Sequence, residues 1–277
     1  MKKLLFILLS SCFISAASAQ IPFRFILQYG HPEVPTPLTV VLHSPDGQAD
    51  TLFHGTLRTP SKSIRKADND FRRPVNRELV TPGDYRLEFF LDTSFLQLPF
   101  TLFGDELLVE AGLGVDRYDS SSVVGYPAIN LFRPAPESVK LYYLGADTLH
   151  RKILFHLVNR SDDTLFDGCD NNFPVDIGSY TNDLPPQINT HVYGFNSSQG
   201  PLFPGRSHKL SVKSYNASPG RCRANVCFFT DAGYHPLSVG VRHYGCVFYS
   251  RSVWREPSVQ TVYVAYCDFF LTTLDLK

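Results

Sequence analysis

Six cysteines, nine histidines and an acid-rich run at Asp162, Asp163, Asp167 and Asp170 are the side chains here whose chemistry reaches beyond packing. Hard cations want clustered carboxylate oxygens, so the acid run invites a calcium loop. With Asp167-Gly168 at the fifth and sixth positions of an EF-hand frame, however, the third falls on Leu165 and the twelfth on Pro174, and the frame fails. A turn with solvated acids is the reading that remains. Zinc needs paired Cys or His ligands. Cys222 and Cys227 are separated by four residues without a following His pair, and His235 and His243 are eight apart across Pro236. For nucleophilic catalysis there is no Gly-x-Ser-x-Gly elbow, no His-Glu-x-x-His and no Ser-x-x-Lys set with its partner motifs. Asp105-Glu106 and Glu110 are acids of the kind hydrolases pair, but two carboxylates carry meaning only when a fold sets their separation. Gly112-Leu113-Gly114 lacks the third glycine and the following helix of a phosphate-binding loop. No catalytic, cofactor-binding or metal-binding residue is assigned, and no cofactor is expected.

Binding chemistry leaves more trace. Arg58, Lys62, Arg65, Lys66, Arg72, Arg73 and Arg77 fall within twenty residues against only Asp68 and Asp70. Such a patch suits anionic glycan or lipid headgroups through phosphate or carboxylate contacts. A charged loop between strands explains it equally well. Tyr142, Tyr143, Tyr180 and Tyr193 offer faces for stacking on sugars, although a strand-rich core also needs aromatic rings. The totals, 26 basic against 26 acidic residues, remove the usual electrostatic reason to expect nucleic acid.

These groups need elements to hold them, and the composition points to strands. Twenty Pro and 18 Gly, with 22 Phe and 14 Tyr against one Met, disfavour a helical bundle and favour short strands between turns. Leu38, Val40 and Leu42 share one face. Ser44-Pro45-Asp46-Gly47 then supplies a turn, proline presetting φ and glycine accepting a positive one, so that 51–57 return as a hairpin arm. After Thr81-Pro82-Gly83-Asp84, the residues Tyr85, Leu87, Phe89 and Leu91 alternate with Arg86 and Glu88 until Phe90 breaks the pattern, which marks a half-buried strand. Residues 107–109 read the same way. Arg133-Pro134-Ala135-Pro136 resembles a stiff spacer. Strand candidates resume at 139–144, 152–158, 209–215, 226–230, 237–249 and 259–271. The last is apolar on both faces and belongs in the middle of a sheet. The organisation expected is all-β: two tandem β-sandwich modules, at 20–136 and 137–277, each large enough to hold a core.

Met1-Lys2-Lys3, an apolar run from Leu4 to Ile14 and Ala17-Ser18-Ala19 form an export signal, with cleavage expected after Ala19. No later stretch approaches a spanning length, so no transmembrane segment is expected. Leu9-Ser10-Ser11-Cys12 also resembles the lipobox of bacterial lipoproteins, which implies Cys12 lipidation as the alternative. The apolar stretch before Cys12, about six residues, is shorter than the usual ~7–15. Loss of residues 1–19 leaves 24 basic against 26 acidic residues and the cysteines 169, 222, 227, 246 and 267. Export permits disulfides, and an odd count leaves one thiol over. A hairpin centred near Glu256-Pro257 brings Cys246 opposite Cys267, and Cys169 with Cys222 is the second pairing expected. The alternative is that these are small apolar core residues.

Three resemblances add to this. Pro82-Gly83-Asp84-Tyr85-Arg86-Leu87 is similar to the Pro-Gly-x-Tyr-x-Leu hairpin of prealbumin-like and carboxypeptidase-regulatory-like sandwiches. The hydroxyisourate hydrolases of the prealbumin-like branch carry a C-terminal Tyr-Arg-Gly-Ser that this chain lacks. The stretch from Leu157 to Leu165, followed by Leu202-Phe203-Pro204-Gly205-Arg206-Ser207, resembles signatures of bacterial immunoglobulin-like domains, in which the proline and glycine turn the chain before a sandwich strand. These imply architecture, which hosts many unrelated functions. Thr51, Thr148 and Thr164 each sit in an Asp-Thr-Leu tripeptide that resembles the O-glycosylation acceptor of exported Gram-negative proteins; Thr and Leu are also ordinary strand residues after an Asp turn. The expectation that follows is an exported, non-catalytic binding or structural accessory protein of the bacterial envelope, secreted or periplasmic, with protein or glycan as partner. The alternative is an exported hydrolase acting on polysaccharide or peptide.

Overall fold

Alternating apolar residues dictate most of the elements in the computed structural model of the chain. It describes residues 21–29, 36–57, 75–79, 81–91, 94–117, 123–166, 175–179, 200–213, 218–230 and 258–275. Among these there are fourteen strands and no helix. The first half holds β1 (Ile21–Tyr29), β2 (Thr36–His43), β3 (Ala49–Leu57), β4 (Val75–Leu79), β5 (Gly83–Leu91), β6 (Ser94–Leu102) and β7 (Leu108–Arg117). The second holds β8 (Val123–Pro134), β9 (Val139–Asp147), β10 (Lys152–Asn159), β11 (Val175–Ser179), β12 (Ser207–Lys213), β13 (Gly220–Phe228) and β14 (Ser258–Leu271).

They assemble into three sheets: a four-stranded one, β3-β2-β5-β6, a three-stranded one, β12-β10-β9, and a seven-stranded one, β11-β13-β14-β8-β7-β1-β4. Two connections explain this arrangement. β1 pairs parallel with β7, and β8 pairs parallel with β14. Parallel neighbours require a long crossover. In each case the chain between the two strands contains the shorter sheet, which packs on the long one. The antiparallel pair β7–β8 then makes one continuous seven-stranded sheet of the two halves.

Leu38, Val40, Leu42, Tyr85, Leu87, Phe89 and Leu91, the alternating set, are all buried in a cluster with Phe23, Phe25, Val109 and Ile129 of the long sheet. Burying each large side chain contributes roughly 1.5–3 kcal/mol. A second cluster joins Leu141, Ile153, Phe155 and Leu210 of the three-stranded sheet to Ala224, Val226, Phe228 and Phe269 of the long one. Phe90 does not break the alternation. It points outward, exposed, and its ring lies 5.0 Å from Phe95 across the β5–β6 hairpin.

The turns behave as their residues require. The Gly47 amide donates to Ser44 O at 3.0 Å with Gly47 at φ +82°, and Tyr85 Oη donates to Thr81 O at 3.0 Å. The two stretches that resemble immunoglobulin-like signatures meet through Asn159. Its Nδ2 donates to Asp163 O and Leu202 O, its Oδ1 accepts from Ser161, and Leu165 bridges Leu202. Gly205, at φ +69°, turns the chain into β12.

The run from Arg133 to Pro136 differs from the spacer its prolines imply. Arg133 and Pro134 end β8 opposite Tyr263 and Val264 of β14, and the Ala135 amide donates to Val264 O at 2.9 Å. Proline fits there because the ladder ends at that point. β14 does lie inside a sheet, between β13 and β8. The strand candidate at 237–249 lies outside the described residues.

Candidate functional site

The long sheet has a second face, turned away from both clusters, and it carries the polar and aromatic groups of interest. On β13 every second residue, Cys222, Ala224, Val226 and Phe228, packs inward. The residues between them face the other way, where the register sets Arg221 opposite Phe270, Arg223 opposite Asp268 and Asn225 opposite Tyr266. Arg223 Nε and Nη2 donate to Asp268 Oδ1 and Oδ2 at 2.5 and 2.8 Å, a two-pronged pairing that fixes the guanidinium plane. That guanidinium lies 4.8 Å from the centre of the Tyr266 ring. The Arg223 hydrogen bond holds the Asp268 carboxyl below its ordinary value. Tyr266 is 43% exposed and Phe270 63%. The result is a strip of open aromatic rings beside oriented charged groups, anchored in a paired sheet.

Further along the same face, at the seam between the halves, the surface closes over. Leu108, Phe132, Phe229, Val262 and Val264 form a third buried cluster. Beside it runs a polar row set by the register of three adjacent strands: Glu110 of β7 pairs with Asn130 of β8, and Asn130 with Gln260 of β14. Glu110 and Asn130 are fully buried. Neither Nδ2 nor Oδ1 of Asn130, nor Oε1 of Gln260, has a hydrogen-bond partner.

Of the acids singled out as potential pairs, Glu106 is committed to structure. Its side chain is inaccessible and accepts from the Phe103 and Gly104 amides at 3.0 and 2.9 Å and from Arg133 Nη2 at 2.7 Å. Burial pushes its carboxyl up, but the Phe103 and Gly104 amides and the Arg133 guanidinium outweigh that, and it titrates below the usual range. Asp105 stands 3.5 Å from Arg133 Nε, and the guanidinium lies 4.9 Å from the Phe103 ring. This clamp ties the β6–β7 turn to β8. No group of three or more His, Cys, Asp or Glu among the described residues is placed to hold a metal ion.

Each of the expected disulfides has one member within the described residues. Cys222, Cys227 and Cys267 are free thiols. Across the β13–β14 ladder Cys267 faces Ala224 and Cys222 faces Phe269, so neighbouring strands do not set these sulfurs opposite each other. Burial raises the Cys222 thiol, and burial followed by the Asp268 charge pushes Cys267 up to about 12. They behave as small core residues. The other halves of the expected pairs, Cys246 and Cys169, lie outside the described residues.

Of the basic patch, Arg58, Lys62, Arg65, Lys66, Arg72 and Arg73 also lie outside them, and the backbone of Arg77, in β4, pairs with Phe23 of β1. Residues 1–20, with Cys12, are outside as well. Thr51 on β3 and Thr148 in the β9–β10 turn are exposed, whereas Thr164 is half-buried. Tyr142 is exposed; Tyr143 stacks on Phe269 at 4.6 Å between ring centres. Tyr180 and Tyr193 fall outside. Sequence reading missed the Arg223–Tyr266–Asp268 strip because its members lie some 45 residues apart. The available signal was the Arg-x-Arg alternation at 221–223, masked by the inward cysteine between them. No helix among the described residues is long and apolar enough to cross a membrane, which says nothing of a β-barrel. No protein-family model matches the chain, and no curated protein matches it in sequence.

Proposed function

We propose that this protein is an exported, non-catalytic binding or structural accessory factor of the bacterial cell envelope, built of two immunoglobulin-like sandwich modules, with glycan or protein as its partner. The observation that carries the reading is the open strip on β13 and β14, where Tyr266 and Phe270 stand exposed beside the paired Arg223 and Asp268. The C–H face of a sugar or the ring of an aromatic amino acid stacks on such faces, while a carboxylate that accepts and a guanidinium that donates, already held in one geometry, bind its polar groups at low entropic cost. The Phe90–Phe95 pair offers a second exposed aromatic contact on the four-stranded sheet. Cleavage after Ala19, glycosylation at Thr51, Thr148 and Thr164, and anion binding at the basic run belong to the same reading, as does Cys12 lipidation to its alternative form.

The test is a glycan array and an envelope pull-down with the mature chain, beside a hydrolase screen. Retention lost in Tyr266→Ala and Phe270→Ala supports the proposal. Turnover abolished by one carboxylate substitution overturns it in favour of a hydrolase.

A further inference from the structure

The seam row holds a group that the protein alone leaves unserved. Asn130 is fully buried, and neither its amide donor nor its carbonyl acceptor meets a protein partner. Gln260 Oε1, one strand away and in register, is likewise unpartnered. Buried amides almost always bond to protein or to ordered water, because stripping one of water without return is costly. The residue types around the row decide what fits. Beside it Leu108, Phe132 and Val262 close the site with apolar side chains.

We propose that Asn130 and Gln260 bind an internal water at the β8–β14 seam. The water accepts from Asn130 Nδ2 and donates one proton to Gln260 Oε1 and the other back to Asn130 Oδ1. Three polar contacts are the usual complement of an internal water. Asn130 and Gln260, paired across the ladder, do not bond to each other, and one bridging oxygen would serve both. An apolar molecule would leave the amide unserved, and a bare cation would leave Nδ2 facing a positive charge. The site therefore belongs to the fastening of the two halves and is independent of the surface strip.

The test reads water contacts directly in the unaltered protein. Rotating-frame Overhauser transfer from water to the Asn130 side-chain amide protons of the 15N-labelled chain is expected, as for a long-lived internal water. Asn130→Leu, similar in volume, evicts that water and strands Gln260, and the folding equilibrium constant should fall about 5- to 150-fold. Absence of the water contact overturns the proposal. So does an Asn130→Leu protein at least as stable as its parent, because a dry, unsatisfied amide would be relieved by an apolar replacement. If that variant does not fold, the Overhauser measurement decides.

Discussion

Replacing Glu106 by Gln perturbs a single well-defined interaction. The carboxylate accepts three hydrogen bonds at 2.7–3.0 Å, one from Arg133 and two from the turn amides. Gln keeps the shape and one acceptor, but its amide nitrogen now opposes a donor, and the half-buried guanidinium loses its closest counter-charge. A charge-assisted bond contributes about 1.5–3 kcal/mol, and breaking one side of a buried pair costs about 3–5. Asp105, 3.5 Å from Arg133 Nε, softens the loss, and about 3 kcal/mol is expected. Urea unfolding followed by circular dichroism, on the parent, Glu106→Gln, Arg133→Met and the double variant, measures the loss and isolates the coupling. The pH dependence has a definite sign. Because the folded carboxyl titrates below its ordinary value, its contribution is fully present above the unfolded pKa and fades as pH falls through the folded one. The gap between parent and variant is therefore full at neutral pH and narrows in acid. A gap under about 0.5 kcal/mol at neutral pH, or one that widens in acid, would refute the assignment of Glu106 as the clamp.

Gly83→Ala should cost about 2–3 kcal/mol by thermal or urea unfolding, since Gly83 lies at φ +149° and an added Cβ would stand 2.7 Å from the Pro45 ring. Gly145→Ala, at φ +122° with no atom within 4 Å, carries the backbone strain alone and should cost nearer 1 kcal/mol. Cys267 and Cys222 should resist maleimide at pH 8 and react fully in denaturant, because burial disfavours their thiolates; complete labelling within minutes in native buffer would contradict their placement. Phe270→Ala should change stability by less than about 0.5 kcal/mol while weakening partner retention, so a large loss of stability would show the ring to be structural.

The sandwich-forming strands were legible wherever one face is buried and the other wet. Tyr85, Leu87, Phe89 and Leu91 state their burial in their spacing, and Pro45-Gly47 and Pro204-Gly205 state their turns. Phe90 was misread because an exposed aromatic on a sheet surface has the same residue type as a buried one. β1 and β8 were harder. β8 carries Gly125, Pro127, Asn130 and Pro134 in one strand, and its place is decided by strands on either side that come from distant parts of the chain. The pairing of Cys246 with Cys267 rests on a local hairpin between 237–249 and 259–271, the first of which lies outside the described residues.

Composition and local alternation by themselves determined that this chain forms strands, where many of its turns fall and which side chains are inward, because those depend on dihedral preference and a two-residue period. Tertiary structure alone decided that Arg223 meets Asp268 and Tyr266, that Glu106 is spent on a turn, and that Glu110, Asn130 and Gln260 fall into one row. The reason is that register between strands far apart in sequence is set by how whole faces pack, and a shift of one residue would turn every one of these side chains to the other side.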